Sequence, residues 1–231
     1  MSKQLKPLII FGSAEMATLA RYYFENDTAR KIVAHTVDDK FIDTPEFKGL
    51  PLVPFSKITE EFPPSDFDMF VALSYTKLNC LRQEKFIQAK DAGYTLPSYI
   101  CSKGVTWPDL NVGENCFILE NQTIQPTVTI GDNVIIWSGN HIGHGSNIKD
   151  HGYIASHVVI SGNCSIGKRC FLGVNATVKD FTTIADDCFI AMDASVTNHM
   201  PEGSIAIGNS ATILEAEDRR ARVLKKRYFN I

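Results

Sequence analysis

An aliphatic residue stands at every sixth position of this 231-residue sequence from Val112 to Val196. Isoleucine, valine or leucine holds each place: Val112, Ile118, Ile124, Ile130, Ile136, Ile142, Ile148, Ile154, Ile160, Ile166, Leu172, Val178, Ile184, Ile190 and Val196. Neither an α-helix, which repeats every 3.6 residues, nor a single strand, which repeats every two, keeps one residue class at a spacing of six. The spacing therefore predicts a solenoid of short parallel strands whose stacked units bury their aliphatic side chains together.

A second position of the hexad also indicates a packed interior. Small or apolar residues follow most of the aliphatics by four places: Cys116, Val128, Val134, Ser146, Gly152, Val158, Cys164, Cys170, Ala176, Cys188 and Ala194. Gln122 and Asn140 depart from this pattern. We expect the four cysteines of the set to pack inside the solenoid and not to form disulfides or act as nucleophiles. An interior filled in this way has no cavity, so any site must lie on the outside or between subunits.

The segment before the repeat, residues 1–105, has a different pattern. Short apolar runs in PLIIFGS, KIVAHTVDD and SDFDMFVAL alternate with helical patterns in EMATLARYYFEN and NCLRQEKFIQAKDAG. Strands that alternate with helices predict parallel pairing, and hence a small doubly wound, Rossmann-like α/β domain. Ligands of such sheets bind beyond the carboxyl ends of the strands. We place the solenoid at residues 106–210 and a helical C-terminal tail at residues 211–231.

Composition excludes some classes of partner. The formal net charge is −3, so we expect no nucleic acid to bind. The sequence has neither a signal peptide nor an apolar run of 18 residues, so we predict no membrane insertion and a cytoplasmic location.

The strict hexad resembles the repeat of the hexapeptide-repeat family, whose members fold as left-handed parallel β-helices. In that family each hexad forms one face of a triangular prism, and three hexads form a coil. The resemblance implies about five coils from Val112 to roughly Ile207. It also implies that residues eighteen apart lie one above the other in successive coils.

Four of the six histidines fall between Gly139 and His157, and the stacking pairs one of them, His144, with Gly162. A glycine at that place leaves an open backbone N–H beside an imidazole. Acyl transfer needs such a pair, a general base with a pKa near neutrality and a donor for the developing oxyanion. For His151 and His199 we expect solvent exposure and no further role.

The spacings between the four histidines are three, seven and six residues, and they do not suit a metal centre. Zinc needs three or more ligands that converge on one point. Hexapeptide-repeat zinc enzymes that resemble the gamma-class carbonic anhydrases carry two histidines five residues apart. We therefore predict no metal, and a zinc-dependent hydratase or lyase on the same scaffold is kept as an alternative.

The stretch IIWSGNHIGHGSNIKDHGYIASHVVISGNCSIGKRCFLGVNATV, after a Rossmann-like domain, is similar to the N-acetyltransferases of nucleotide-linked amino sugars. This group includes the bacillosamine and perosamine N-acetyltransferases and the sialic acid O-acetyltransferase-like proteins. The resemblance implies a homotrimer with sites between neighbouring prisms, His144 as general base and Gly162 as the residue that holds the thioester carbonyl. It also implies acetyl-CoA as co-substrate, for which we name a set of binding residues: Tyr153, Gly162, Asn175 and Lys179. The sequence departs from the family at Tyr153, where some members have histidine, and at Gly145, where an acidic residue commonly follows the base.

In the same family the N-terminal domain binds the nucleotide of the sugar substrate. The resemblance implies Gly12 and Ser13 near the phosphates, and Asp38 and Asp39 near the base or the ribose. We add two residues of the prism to the predicted substrate site: Trp137 and His141. The indole of Trp137 either stacks on the sugar ring or is buried at a subunit contact.

The predicted function is an acyl-CoA-dependent N-acetyltransferase that acts on a nucleotide-linked amino sugar by direct transfer. Two alternatives stay open: a sugar O-acetyltransferase, and a non-catalytic protein that binds nucleotide sugars. The tail carries many basic residues: Arg219, Arg220, Arg222, Lys225, Lys226 and Arg227. They either form a solvated helix face or, together with Lys168 and Arg169, bind the phosphates of CoA.

Overall fold

The structure is a computed structural model that describes residues 5–208 and 214–230. Its N-terminal part is an α/β domain built on a five-stranded sheet. The elements are β1 (Leu8–Phe11), α1 (Glu15–Asp27), β2 (Ile32–Val37), a 3₁₀ turn (Asp39–Phe41), β3 (Glu46–Phe47), β4 (Leu50–Pro54), a 3₁₀ turn (Phe55–Lys57), α2 (Ile58–Glu61), β5 (Asp68–Val71) and α3 (Cys80–Asp91). The strand order is β3-β4-β2-β1-β5, parallel except for β3.

The sheet is covered on both sides, which is why its central strand is apolar at every position. In β1, Leu8 and Ile10 pack against α1, while Ile9 packs on the other side against Phe86 and Ala89 of α3. All four residues of β1 are buried. The doubly wound domain that the sequence predicts is confirmed.

The aliphatic hexad forms a triangular prism of two-residue parallel strands, which confirms the left-handed β-helix. The face that packs on the N-terminal domain, here called the docked face, contains β6 (Tyr99–Ile100), β8 (Phe117–Ile118), β11 (Ile135–Ile136), β14 (Tyr153–Ile154), β17 (Phe171–Leu172), β20 (Phe189–Ile190) and β22 (Ile205–Ala206). The histidine face contains β9 (Thr123–Ile124), β12 (His141–Ile142), β15 (Val159–Ile160), β18 (Thr177–Val178) and β21 (Ser195–Val196). The polar face contains β7 (Asn111–Val112), β10 (Thr129–Ile130), β13 (Asn147–Ile148), β16 (Ser165–Ile166) and β19 (Thr183–Ile184).

The inside of the prism is filled by its own side chains. Hexad aliphatics from Ile118 to Val196 are buried, and so are the four cysteines predicted to pack there. Gln122 and Asn140, the polar exceptions, are also buried, and each donates its side-chain amide to the carbonyl of Trp137. Their polar groups are therefore paired with backbone at the prism corner.

The prism begins earlier than the aliphatic pattern indicates. Its first strand is Tyr99–Ile100, which pairs with β8, and Val105 forms a bridge with Thr123. The boundary that the sequence analysis places at residues 210 and 211 lies outside the described residues. Beyond it the tail contains the predicted helix, α4 (Arg219–Phe229), whose first turn is capped by the carboxylate of Asp218.

The two domains are joined by a buried arginine on α3. The guanidinium of Arg82 is fully buried and donates to the carbonyls of Asn133, His151 and Gly152 in the prism. Burial lowers the pKa of Arg82 to about 10. Hydrogen bonds to backbone carbonyls take the place of a carboxylate partner, so α3 is fixed to the docked side of the prism.

The predicted exposure of His151 is wrong. The residue is only 7% exposed, and its ring lies edge-on to Phe86, with the ring centroids 5.6 Å apart. Its Nδ1 is 3.0 Å from the side-chain amide of Asn133. Burial lowers the pKa of His151 to about 4. The cause is the docking of α3 on this edge of the prism. His199, by contrast, is exposed as expected.

No helix in residues 5–208 and 214–230 is both long enough and apolar enough to span a lipid bilayer. In the same residues no group of three or more histidine, cysteine or acidic side chains could hold a metal ion.

Candidate active site

The stacking of His144 on Gly162 is present in the structure. His144 follows β12 on the edge between the histidine face and the polar face, and it is exposed. A Cβ atom added to Gly162 would lie 2.8 Å from Nε2 and 2.9 Å from Cε1 of His144. The imidazole therefore packs directly on the Gly162 backbone, and a side chain at position 162 would collide with it.

The ring of His144 is not held by a hydrogen bond. Within the described residues neither ring nitrogen has a partner, although the backbone N–H of His144 donates to Gln125 Oε1 at 2.9 Å. The next residue, Gly145, has a φ of +68°, and a side chain there would collide with Asn163 Oδ1. Packing on Gly162 is thus the contact that fixes the imidazole.

Gly162 itself supplies a possible donor. Its carbonyl accepts from the N–H of Phe181 at 3.0 Å, whereas its own N–H has no acceptor among the described residues. An imidazole and a free N–H therefore lie side by side on an exposed edge, which is the combination that a general base and an oxyanion donor require.

One cleft lies in the N-terminal domain, at the carboxyl ends of β1 and β2. It has a volume of about 720 Å³, and Gly12, Ser13 and Asp38 are among its lining residues. Five charged side chains reach it: Asp38, Lys40, Asp43, Lys77 and Lys85. We call it the first cleft. Its position is the one at which doubly wound sheets bind ligands, and its three lysines suit an anionic group.

The turn at Gly12 needs a glycine. Its φ is +137°, and a Cβ atom would lie 3.0 Å from the carbonyl oxygen of Ala72. The carbonyl of Gly12 is 2.9 Å from Nδ1 of His35, which is fully buried. Burial lowers the pKa of His35, so the ring is neutral and donates to this carbonyl. The hydrogen bond from the buried His35 therefore fixes the Gly12 turn, which forms part of the wall of the first cleft.

The two predicted aspartates differ in their surroundings. Asp38 forms an ion pair of 2.7 Å with Lys85, and both line the first cleft. Asp39 accepts from the hydroxyl of Ser56 at 2.6 Å and from its N–H, and these bonds lower the pKa of Asp39. Asp39 is not part of the lining, so Asp38 is the carboxylate that faces a ligand there.

A second cleft adjoins the first, with which it shares Ala14 and Leu73. It has a volume of about 460 Å³ and lies between the start of α1, the loop after β5 and the docked face. Trp137 and Tyr153 line it from the prism side. Tyr153 is buried and stacked on Phe171, with centroids 5.1 Å apart. The indole of Trp137 packs against the N-terminal domain of its own chain, and no described residue accepts from its Nε1.

The remaining predicted residues lie on other parts of the prism. His141 is on the histidine face, and Asn175 is in the turn between β17 and β18. Lys179 lines a polar recess of about 500 Å³ on the same edge as His144. Lys168 and Arg169 are paired with carboxylates of neighbouring coils. The basic side chains of α4 are exposed.

Apart from Asp39, His141 and Asn175, the predicted site residues fall into two groups that one chain does not bring together. The docked side holds the two clefts with Gly12, Ser13, Asp38, Trp137 and Tyr153. The edge opposite the docked face, here called the distal edge, holds His144, Gly162 and Lys179. The body of the prism separates the imidazole from both clefts of the same chain.

Sequence reasoning missed the lysines of the first cleft. Lys85 is on the buried side of α3, three residues after Arg82 and one before Phe86. Charged residues at i and i+3, on the same face as the apolar Phe86 and Ala89, are a signal that the buried side of this helix carries cations. That signal identifies Arg82 and Lys85 but not which of them faces a ligand.

Comparisons with known proteins identify the same repeat and the same fold. Residues 109–144 match the family described as bacterial transferase hexapeptide (six repeats), and residues 164–198 match the hexapeptide repeat of succinyl-transferase. A solved structure of perosamine N-acetyltransferase from Caulobacter crescentus, in complex with CoA and GDP-perosamine, is 25% identical. It superposes with a TM-score of 0.79 over 93% of this chain and 99% of that chain. The prism carries the hexapeptide repeat of bacterial transferases, and these matches together indicate an acyltransferase.

Two further solved structures share the fold of this acyltransferase. The acetyltransferase domain of PglB from Neisseria gonorrhoeae is 20% identical, with a TM-score of 0.77 over 91% of this chain and 100% of that chain. WeeI from Acinetobacter baumannii is 19% identical, with a TM-score of 0.55 over 90% and 99%. A search of curated proteins found no match to this chain.

Proposed function

We propose that the chain is an acetyl-CoA-dependent N-acetyltransferase that acts on a nucleotide-linked amino sugar. The observation that carries the proposal is the imidazole of His144 packed on Gly162, on an exposed edge of the prism. The solved perosamine N-acetyltransferase, which contains CoA and GDP-perosamine, supports the choice of substrates.

His144 acts as the general base in the proposed mechanism. As the sugar amine attacks the thioester carbonyl, a C–N bond forms and His144 takes the proton that the nitrogen loses. The N–H of Gly162 donates to the oxyanion of the tetrahedral intermediate. The C–S bond then breaks, and the imidazolium returns its proton to the departing CoA sulfur.

Direct transfer suits the cysteines of the prism. Cys116 and Cys170 face the prism core, where burial raises the pKa of their thiols to about 11 and about 12. Such thiols are neither ionised nor reachable, so they do not form an acyl-enzyme. Neither step requires a metal-bound water or a metal ligand set.

The nucleotide of the acceptor sugar binds in the first cleft. Lys40, Lys77 and Lys85 offset the charge of its phosphates, and the turn at Gly12 and Ser13 brings backbone close to them. Asp38 accepts from ribose hydroxyls. The sugar then extends into the second cleft, where Trp137 and Tyr153 provide aromatic walls.

Two chains build each site. His144 lies on the distal edge, whereas both clefts lie on the docked side, so the base of one chain serves the clefts of a neighbour. Contacts between two different surfaces of identical chains close into a ring when the rotation between neighbours completes a circle, and the proposed ring is a homotrimer.

Lys179 in the polar recess binds acetyl-CoA along the distal edge beyond His144. Asn175, on the edge between the docked face and the histidine face, and Tyr153 contact it from the facing chain, beside the acceptor. The basic residues of α4 are a further source of charge for its phosphates. We assign the enzyme to the cytoplasm on the sequence grounds given above.

The test is an acetylation assay with a panel of nucleotide-linked amino sugars, each compared with its hydroxyl counterpart. Product mass spectrometry should detect an acetylated amine, and His144→Ala should lower kcat by roughly 10²–10⁴. The matched control is His157→Ala, which removes an exposed histidine that lines neither cleft nor the polar recess. A wild-type kcat in His144→Ala would show that His144 is not the general base.

The same assay decides the nature of the acceptor. An amine is the better nucleophile and needs less help from a base, which suits a histidine that no carboxylate orients. Faster acetylation of the hydroxyl counterpart would identify an O-acetyltransferase instead. The absence of acetyl-CoA binding in calorimetry would leave only a nucleotide-sugar binding protein, and stoichiometric zinc in the purified protein would favour the hydratase or lyase.

Co-expression of two inactive variants tests the shared site. His144→Ala lacks the base, and Ser13→Trp fills the first cleft, whose wall includes Ser13. A mixed assembly combines an intact cleft with an intact His144, so its activity should exceed that of either variant alone. A mixture no more active than its components would contradict the two-chain site.

A further inference from the structure

We propose that Glu15 is the residue that selects an acceptor carrying a positive charge, by binding its ammonium group in the second cleft. The inference rests on the proposed function and specifies the substrate class of that site. Glu15 acts as a specificity residue, not as the base.

Glu15 is the only charged residue among the described residues that line the second cleft. The other walls are apolar or uncharged, with Met16 and Leu19 from α1, Ser74 and Tyr75 from the loop after β5, and Trp137 from the prism. A single carboxylate in such a cleft gives it a negative potential, because no lysine or arginine nearby in the lining offsets it.

The carboxylate of Glu15 is also free to bind a ligand. Its side chain is exposed and makes neither an ion pair nor a hydrogen bond with any residue that the structure describes. Glu15 is the first residue of α1, where an acidic side chain gains some stability from the helix dipole. Stabilisation of the helix requires only the charge of Glu15, whereas ammonium binding also requires its position in the second cleft. Ligand affinities of Glu15→Gln distinguish these two roles.

The charges of the adjoining clefts differ in sign and match the two ends of one ligand. Lys40, Lys77 and Lys85 line the first cleft, and Glu15 lines the second. A nucleotide-linked amino sugar carries its phosphates at one end and an ammonium group on the sugar at the other. Because the clefts share Ala14 and Leu73, one such molecule reaches both.

A hydroxyl sugar of the same shape lacks the charge that Glu15 recognises. Partly exposed ion pairs are weak, so we expect a preference of roughly 2- to 5-fold in Kd. The ammonium must lose its proton before the amine attacks, and Glu15 stabilises the charged form. Loss of the carboxylate should therefore raise KM for the amino sugar without lowering kcat.

The experiment measures Kd by calorimetry for pairs of GDP-, UDP- and dTDP-linked sugars that differ only in an amine or a hydroxyl. Wild-type protein should bind the amino member of a pair roughly 2- to 5-fold more tightly, and Glu15→Gln should bind both members equally. The nucleoside diphosphate alone should bind both proteins with the same Kd, because it occupies only the first cleft.

Glu25→Gln is the matched control, since Glu25 is the other acidic residue at an exposed position of α1 and lines neither cleft. It should keep the preference. A preference that survives in Glu15→Gln, or a wild-type protein that shows none or binds no pair, would overturn the proposal. If Glu15→Gln loses the preference but the wild-type protein transfers no acetyl group, the ammonium site is supported and the proposed transferase activity is contradicted.

Discussion

Replacement of Gly162 by alanine tests whether packing alone positions the imidazole of His144. The added methyl group would lie 2.8 Å from Nε2 and 2.9 Å from Cε1. Optimal contact between such atoms is about 3.5–4.0 Å, so the ring must move by roughly 1 Å. The backbone at Gly162 is not left-handed, and alanine keeps the N–H that we assign to the oxyanion.

A displacement of this size in a reacting group costs about 10²-fold in rate, or about 2.7 kcal/mol of transition-state stabilisation. We therefore expect kcat of Gly162→Ala to fall about 100-fold in the acetylation assay. The midpoint of thermal unfolding should change little, because the exposed ring can rotate away from the methyl group.

Gly104→Ala is a suitable control, because its Cβ would come no nearer than 3.5 Å to another atom outside its chain neighbours. In a double-mutant cycle, Gly162→Ala should cost nothing further once His144 is alanine. Wild-type kcat in Gly162→Ala would refute the reasoning, and so would equal losses in the presence and absence of His144.

Three other outcomes are expected. Burial lowers the pKa of His151 to about 4, below its ordinary 6.5. As the pH falls between those values, only the unfolded chain takes up this proton, so the free energy of unfolding decreases by roughly 3 kcal/mol. His151→Asn should reduce that loss in urea unfolding at pH 7 and pH 4, and an unchanged loss would contradict the assignment. Arg82→Met should lower the free energy of unfolding by about 3 kcal/mol or more, because buried carbonyls lose their donor; a change below 1 kcal/mol would show that water replaces it. Trp137→Ala should raise KM for the sugar substrate with no change in molecular mass by light scattering, whereas a smaller mass would identify a subunit contact.

The prism and its edges could be read from the sequence because one rule repeats along them. Each hexad forms one strand and one corner, so the residue eighteen places after His144 had to lie against it. Ile100 stands in the same register, eighteen residues before Ile118, but Thr106 interrupts the aliphatic pattern between Ile100 and Val112 and so hides the start of the prism.

The contacts between the domains could not be predicted, because no local pattern encodes which face of a solenoid another domain covers. His151 has the same place in its hexad as Asn133 and Asn163, yet Asn163 is exposed and His151 is buried under α3. The second cleft depends on the same docking, since its walls come from both domains. Glu15 could therefore not be singled out before the domains were seen together.

The attachment of α3 along the prism also bears on how the molecule unfolds. Coils of a solenoid contact only their neighbours, so such proteins can open from one end. Here Arg82 binds carbonyls of two adjacent coils, and the side chain of Asn79 binds the carbonyls of Arg169 and Cys170 in the next. These coils must separate from α3 before they separate from one another. Amide hydrogen exchange should thus be slow and uniform from Asn133 to Cys170 and faster in the coils that follow, where fraying can begin without breaking the helix contacts.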